Sequence, residues 1–230
     1  MFAKSDLRYT AQPLPPRPAL TDAQVLTAAR TFEDAMSTRC TTRDFDTRPV
    51  ERAVIESAIR TAGGAPSGAN HQPWHFVAIG NPALKAQVRA AAEEEEARFY
   101  EGAAGDEWLS ALEPIGTGPS KPHLEDAPWL IVIFAQRYGE FDDGTRYKNY
   151  YVNESVGIAT GFLIAALHQA GLSSLTHTPN PMKFLNDLCQ RPASEKPVMI
   201  LAVGHAAADA TTPSAARIKK PLDQIMTALD

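Results

Sequence analysis

The chain has 230 residues, 44% of them hydrophobic and 21% charged, which is ordinary globular usage and enough for one large domain with its own core. A formal net charge of -5 and a pI near 5.7 exclude a broad basic footprint for nucleic acid but leave room for a local basic pocket holding one anion. The two cysteines, Cys40 and Cys189, are far apart and fit no metal spacing, which speaks against a disulfide framework and makes a reducing cytoplasm the expectation.

Residues 1–20, MFAKSDLRYTAQPLPPRPAL, have no apolar signal core and are expected to be an extended lead-in to one domain over 21–230. Thr21 and Gln24 have the spacing of a capping box, predicting a helix to about Ser37. RCTTRDF (39–45) follows. If it is extended, Arg39, Thr41 and Arg43 share a face and suit a phosphate, or they are surface arginines near a helix end. A second helix is predicted from about Val50 to Ala62, stopped by Gly63-Gly64. APSGANHQPW (65–74) reads as a turn whose glycine lets backbone approach a flat ligand, or as a plain loop. Ser67 lacks a nucleophile-elbow context. His71 and His75 are separated by Pro73, which speaks against a helical metal face.

WHFVAIG (74–80) is a predicted strand, and Asn81-Pro82 opens a third helix that carries EEEEARFY (93–100). Four consecutive acids are ordinarily a solvated face. Residues 102–123 are rich in glycine and proline without a period and read as a mobile excursion. APWLIVIFA (127–135) is too short to span a bilayer and reads as a buried strand. Residues 153–170 are apolar almost all round, a helix buried centrally or at a subunit boundary. LSSLTHT is then a strand running out into LTHTPNP, a short helix near 182–190 precedes the strand VMILAVG (198–204), and the amphipathic tail KKPLDQIMTALD needs a partner surface. The pattern of elements is that of one α+β or α/β domain.

In order and content these clusters resemble the nitroreductase superfamily of FMN enzymes, and within it the iodotyrosine deiodinases. The resemblance is carried by IRTAGGAPSGANHQPWHFV, EEEEARFY, NYYVNESVGIATGFLIAALHQAGL, LTHTPNP, RPASEKPVMILAVGH and KKPLDQIM, and it covers about residues 25–229. It implies a mixed sheet, an intertwined homodimer with FMN at the subunit interface, a lid at about 96–123 and a dimer arm at about 206–230. Arg39, Cys40, Thr41 and Arg43 would hold the FMN phosphate and ribityl chain. Pro66, Ser67 and Gly68 would line the isoalloxazine, with Thr176, His177 and Thr178 at its N5 edge and Lys219 as a further basic contact. Three residues depart from the family pattern: Cys40 and Lys219 stand in place of arginines, and His177 replaces the middle of a threonine triplet.

The resemblance further implies reductive dehalogenation of a halotyrosine. Glu96 would take the ammonium, Lys121 the carboxylate, Tyr100 the zwitterion, and the Ala69 main-chain N–H the phenolate. The other three glutamates would face solvent, and the lid would order only on binding. Thr178, or Thr176 in its place, would bond flavin N5, with electrons coming from NAD(P)H directly or through a separate flavin reductase. A generalist NAD(P)H-dependent nitroreductase would not need Glu96, Tyr100 and Lys121 together. A non-catalytic flavin or halotyrosine sensor would hold FMN and release no halide.

Overall fold

The computed structural model describes residues 3–4 and 8–229. The expected lead-in and C-terminal arm therefore fall partly outside the described residues. In chain order the elements are α1 (Asp22–Ser37), α2 (Arg52–Gly63), β1 (Trp74–Ile79), α3 (Pro82–Arg98), α4 (Asp106–Leu112), α5 (His123–Asp126) and β2 (Trp129–Gln136). A hairpin follows, β3 (Tyr138–Glu140) and β4 (Arg146–Lys148). The chain then continues through α6 (Val152–Gln169), β5 (Ser173–His177), α7 (Phe184–Leu188), β6 (Glu195–Gly204) and α8 (Ser214–Arg217).

The main sheet has the order β1-β2-β6-β5, with all three pairings antiparallel. Among the described residues a parallel pairing enters only as an isolated bridge between Thr41 and Ser174, which lays the 39–45 segment along the outer edge of β5. The central strand β2 is apolar from Trp129 to Ala135 because both of its faces are covered. Ile131, Ile133 and Ala135 pack with α2 and α6, while Leu130, Val132 and Phe134 pack with α3, α5 and α7. The result is three layers: α2 and α6, the sheet, then α3, α5 and α7.

Local signals explain the helix starts. Thr21 and Gln24 close the capping box, with the Thr21 N–H donating to Gln24 Oε1 at 2.9 Å. At α3 the Asn81 side chain accepts the Leu84 N–H at 3.1 Å and Pro82 occupies the first turn, where its missing N–H costs nothing. The helix expected over 153–170 leaves Ile158 and Phe162 exposed in a single chain, which removes wholly central burial and keeps the subunit-boundary alternative. One expectation needs correction. The excursion at 102–123 is not featureless: it contains α4 and a 3-10 turn at Glu113–Ile115, and it leads into α5.

Candidate active site

The stripe Val88, Ala92, Glu96 rises along α3 at one residue per turn and continues to Tyr100 in the π-helical turn that follows, Phe99–Ala103. Val88 and Ala92 are fully buried, and the stripe runs out of the core into a cavity of about 460 Å³. Glu96 and Tyr100 border that cavity with Lys121, Arg43, Thr176, His177 and Thr178. Its roof is the folded excursion: Phe99, Trp108, Leu112, Ile115 and Thr117. Phe99 meets both Tyr100 and Trp108 edge to face at 5.4 Å, giving an aromatic wall of the kind that holds a ring.

Inside the cavity Lys121 Nζ lies 3.0 Å from Glu96 Oε2, with side chains only 5% and 13% exposed. The same ammonium donates to Thr117 Oγ1 at 3.1 Å and lies 5.8 Å from the Tyr100 ring centroid. Glu96 Oε1 is 3.9 Å from His177 Nε2, a buried nitrogen with no hydrogen-bond partner among the described residues. The His123 ring stands edge-on to His177 at 5.7 Å, and its Nε2 is likewise unpartnered. Burial first, then the Lys121 ammonium, push His177 down to about 3 and His123 to about 4. Both imidazoles are therefore neutral at pH 7, and the 3.9 Å approach to Glu96 is not an ion pair there.

Strand alternation sorts the LTHT cluster. Leu175 and His177 are buried toward the α3 layer, while Thr176 and Thr178 are exposed, and all three of Thr176, His177 and Thr178 border the cavity. The threonines adjoin the 39–45 segment, which is bridged to β5 at Thr41. His177 instead belongs with Glu96 and His123. Arg43 reaches the cavity; Arg39, Cys40 and Thr41 do not border it. Neither Arg39 nor Arg43 forms an ion pair among the described residues. Two uncommitted guanidiniums and a hydroxyl on one run make a donor set that fits a phosphate group.

Pro66, Ser67, Gly68 and Ala69 lie elsewhere, at the start of β1 against the start of α6. A side chain at Gly68 would meet the Tyr150 carbonyl oxygen at 2.5 Å, so only glycine allows this closeness. Ala69, Asn70 and Gln72 all have left-handed backbones, with φ of 51°, 55° and 49°. Such strain is held in place only where surrounding structure demands it, and it marks the loop as a built feature. Lys219 is exposed in the tail, donating to the Ala216 carbonyl at 2.8 Å.

Sequence reasoning missed Phe99, Trp108, Leu112, Ile115, His123 and Asn180. The two large aromatics in an otherwise polar, glycine-bearing stretch were the available signal. It also misassigned two of the three remaining acids. Glu94 is exposed and pairs with Arg98, but Glu95 borders the cavity and Glu93 is bonded to the Lys121 backbone.

The pattern of the Nitroreductase family matches residues 36–205. An iodotyrosine deiodinase of Haliscomenobacter hydrossis is 49% identical over 197 residues, 86% of this chain and 89% of that protein. Iodotyrosine deiodinase 1 of Homo sapiens is 40% identical over 206 residues, 89% of this chain and 71% of that protein. A crystal structure of oxidised iodotyrosine deiodinase bound to FMN and 3-iodo-L-tyrosine superposes with a TM-score of 0.70 at 29% identity, covering 86% of this chain and 98% of that one.

Proposed function

The chain belongs to the nitroreductase family, and from that premise we propose that it is an FMN-dependent oxidoreductase that reductively dehalogenates halotyrosines. The observation that carries this reading is the buried Glu96–Lys121 pair beside Tyr100, inside an aromatic-walled cavity. A buried ion pair tolerates exchange only for something equally balanced, because a single uncompensated charge in such a site is costly. An amino-acid zwitterion meets that condition: its ammonium replaces Lys121 at Glu96 while its carboxylate replaces Glu96 at Lys121. A halogenated phenol ring then lies toward the Thr176 and Thr178 side.

The net reaction takes up two electrons and one proton at the carbon–halogen bond and yields the carbon–hydrogen bond of tyrosine and a halide ion. FMN, when bound, supplies those electrons, and its phosphate suits Arg39, Thr41 and Arg43, with Lys219 as a further basic contact. The Ala69 main-chain N–H holds the phenolate oxygen, and the Thr178 hydroxyl donates to the N5 edge of the cofactor. NAD(P)H, directly or through a separate flavin reductase, restores the electrons.

A single chain carries the glycine loop and the threonines at opposite edges of its sheet, β1 and β5. Three interstrand spacings separate those edges by roughly 14 Å. A second copy brings the two clusters together, and we assign the enzyme a homodimeric state. The exposed apolar residues Val25, Leu26 and Phe32 of α1, Ile158 and Phe162 of α6, and Leu222, Ile225 and Met226 of the tail support this assignment. Among the described residues no helix is long and apolar enough to cross a membrane. The two free cysteines suit a reducing cytoplasm, where we place the enzyme.

The test is anaerobic. Reduced holoenzyme mixed with 3-iodotyrosine is expected to release iodide and tyrosine in equal amounts; flavin that stays reduced with no halide released refutes the reading and leaves a binding protein. Thr178→Ala is expected to slow deiodination by at least tenfold, on the order of the loss of one charge-assisted donor, and to slow nitroaromatic reduction far less. Equal losses of both activities would remove Thr178 from the N5 role.

A further inference from the structure

Glu93 was expected to face solvent, yet its carboxylate is committed. Oε1 accepts the Lys121 backbone N–H at 2.6 Å and Arg89 Nε at 2.9 Å, with the Ser120 hydroxyl at 3.5 Å. Arg89 Nη1 in turn donates to Glu125 Oε2 at 3.0 Å. One turn earlier, the buried Lys85 ammonium donates to the carbonyls of Glu125 and Ala127 at 2.8 and 2.6 Å. Lys85, Arg89 and Glu93 are spaced by four and form one stripe of α3, adjacent to the stripe that carries Glu96. Together they fasten residues 120–127 to the helix. Burial alone would raise the Glu93 carboxyl, but the Lys121 amide and the Arg89 guanidinium hold it below the ordinary carboxylate range, so the acceptor is ionised at neutral pH.

We propose that Glu93 is a positioning residue for Lys121: it holds the Lys121 main chain on α3, so that the ammonium meets Glu96 before any ligand arrives. This rests on the reading of Lys121 as the carboxylate partner of an amino-acid substrate, and it specifies how that partner is placed. The excursion then has two parts. Its C-terminal root at Ser120 and Lys121 is fixed, and only the exposed stretch around α4 and the Glu113–Ile115 turn is free to move. A preplaced cation removes part of the ordering cost of binding, so loss of the clamp weakens ligands that use Lys121 and spares those that do not. A clamp serving only the fold would instead weaken all ligands alike.

The experiment uses FMN-loaded wild type, Glu93→Ala, Glu93→Gln and Lys121→Ala. Hydrogen exchange of the 119–124 backbone is measured without ligand, together with affinity for 3-iodotyrosine and for 2-iodophenol, which has the ring and halogen but no amino-acid end. In Glu93→Ala the Lys121 amide is expected to lose protection. Its dissociation constant for 3-iodotyrosine should rise roughly tenfold, the loss of one hydrogen bond to a charged group, with 2-iodophenol unaffected. Glu93→Gln keeps a carbonyl acceptor for the same N–H and should rise by less than about threefold. Unchanged exchange in Glu93→Ala, or equal weakening of both ligands, overturns the proposal. If Lys121→Ala binds 3-iodotyrosine normally, the substrate reading fails instead, and the exchange result judges the clamp alone. Should Glu93→Ala not load flavin, Glu93→Asp, one methylene shorter, supplies the same comparison.

Discussion

Glu96→Gln is expected to raise the dissociation constant for 3-iodotyrosine by roughly thirtyfold or more, while reduction of a nitroaromatic lacking an ammonium group continues at nearly the wild-type rate. The size follows from the environment. Removing one partner of a buried, hydrogen-bonded charge pair typically costs about 2–5 kcal/mol in binding, and here both side chains are largely withdrawn from water. The isosteric amide keeps the shape of the site but cannot neutralise an ammonium. It also leaves Lys121 buried beside a neutral group in the free enzyme, so thermal stability without ligand should fall and recover little on adding substrate. Titration of holoenzyme with 3-iodotyrosine, set beside nitroaromatic turnover, checks both parts. Unchanged halotyrosine affinity would leave a generalist nitroreductase as the better description.

The second large effect is on stability below neutral pH. His177 and His123 are 7% and 4% exposed and are held neutral, at about 3 and about 4 against 6.5 for a free imidazole. Burial is the main cause for each, followed by the Lys121 ammonium; Arg43 and Arg89 add to the effect at His123 and Glu93 opposes it. The unfolded chain therefore binds two protons that the folded chain refuses between pH 6.5 and about 4. Stability from this pair is complete above pH 6.5 and is lost as the pH falls through that window. Each histidine contributes about 2 kcal/mol to the difference between pH 7 and pH 5, or about 4 kcal/mol together. Urea unfolding of holoenzyme at the two pH values measures it. The double variant His123→Gln/His177→Gln should flatten the dependence, and a slope as steep as wild type would place its origin elsewhere.

Much of the architecture was legible because local chemistry and pattern agreed. The Thr21–Gln24 box, the Asn81-Pro82 start and the unbroken apolar run of β2 each carry their own instruction, and each element stands within a residue or two of its expected bounds. The hairpin β3–β4 was missed although Asp143-Gly144 sits at its turn, with Gly144 left-handed at φ 79°. Its strands are three residues long and polar, so no alternation announced them. The helices of the excursion were missed for a related reason. α4 and the Glu113–Ile115 turn bury little of their own and are placed by Phe99 and the cavity rim rather than by periodicity.

By itself the sequence determined which residue types are present for the chemistry, and a four-residue spacing that puts Glu96 and Tyr100 on one face. It could not decide what stands opposite that acid. Lys121 lies 25 positions further along, and only the return of the chain onto α3, pinned through Glu93 and Leu124, sets an ammonium at 3.0 Å from Glu96. Nor could it bury His177 between two exposed threonines. Strand alternation against a filled core did that, because a side chain in β5 has two faces available and the apolar one was already the α3 layer.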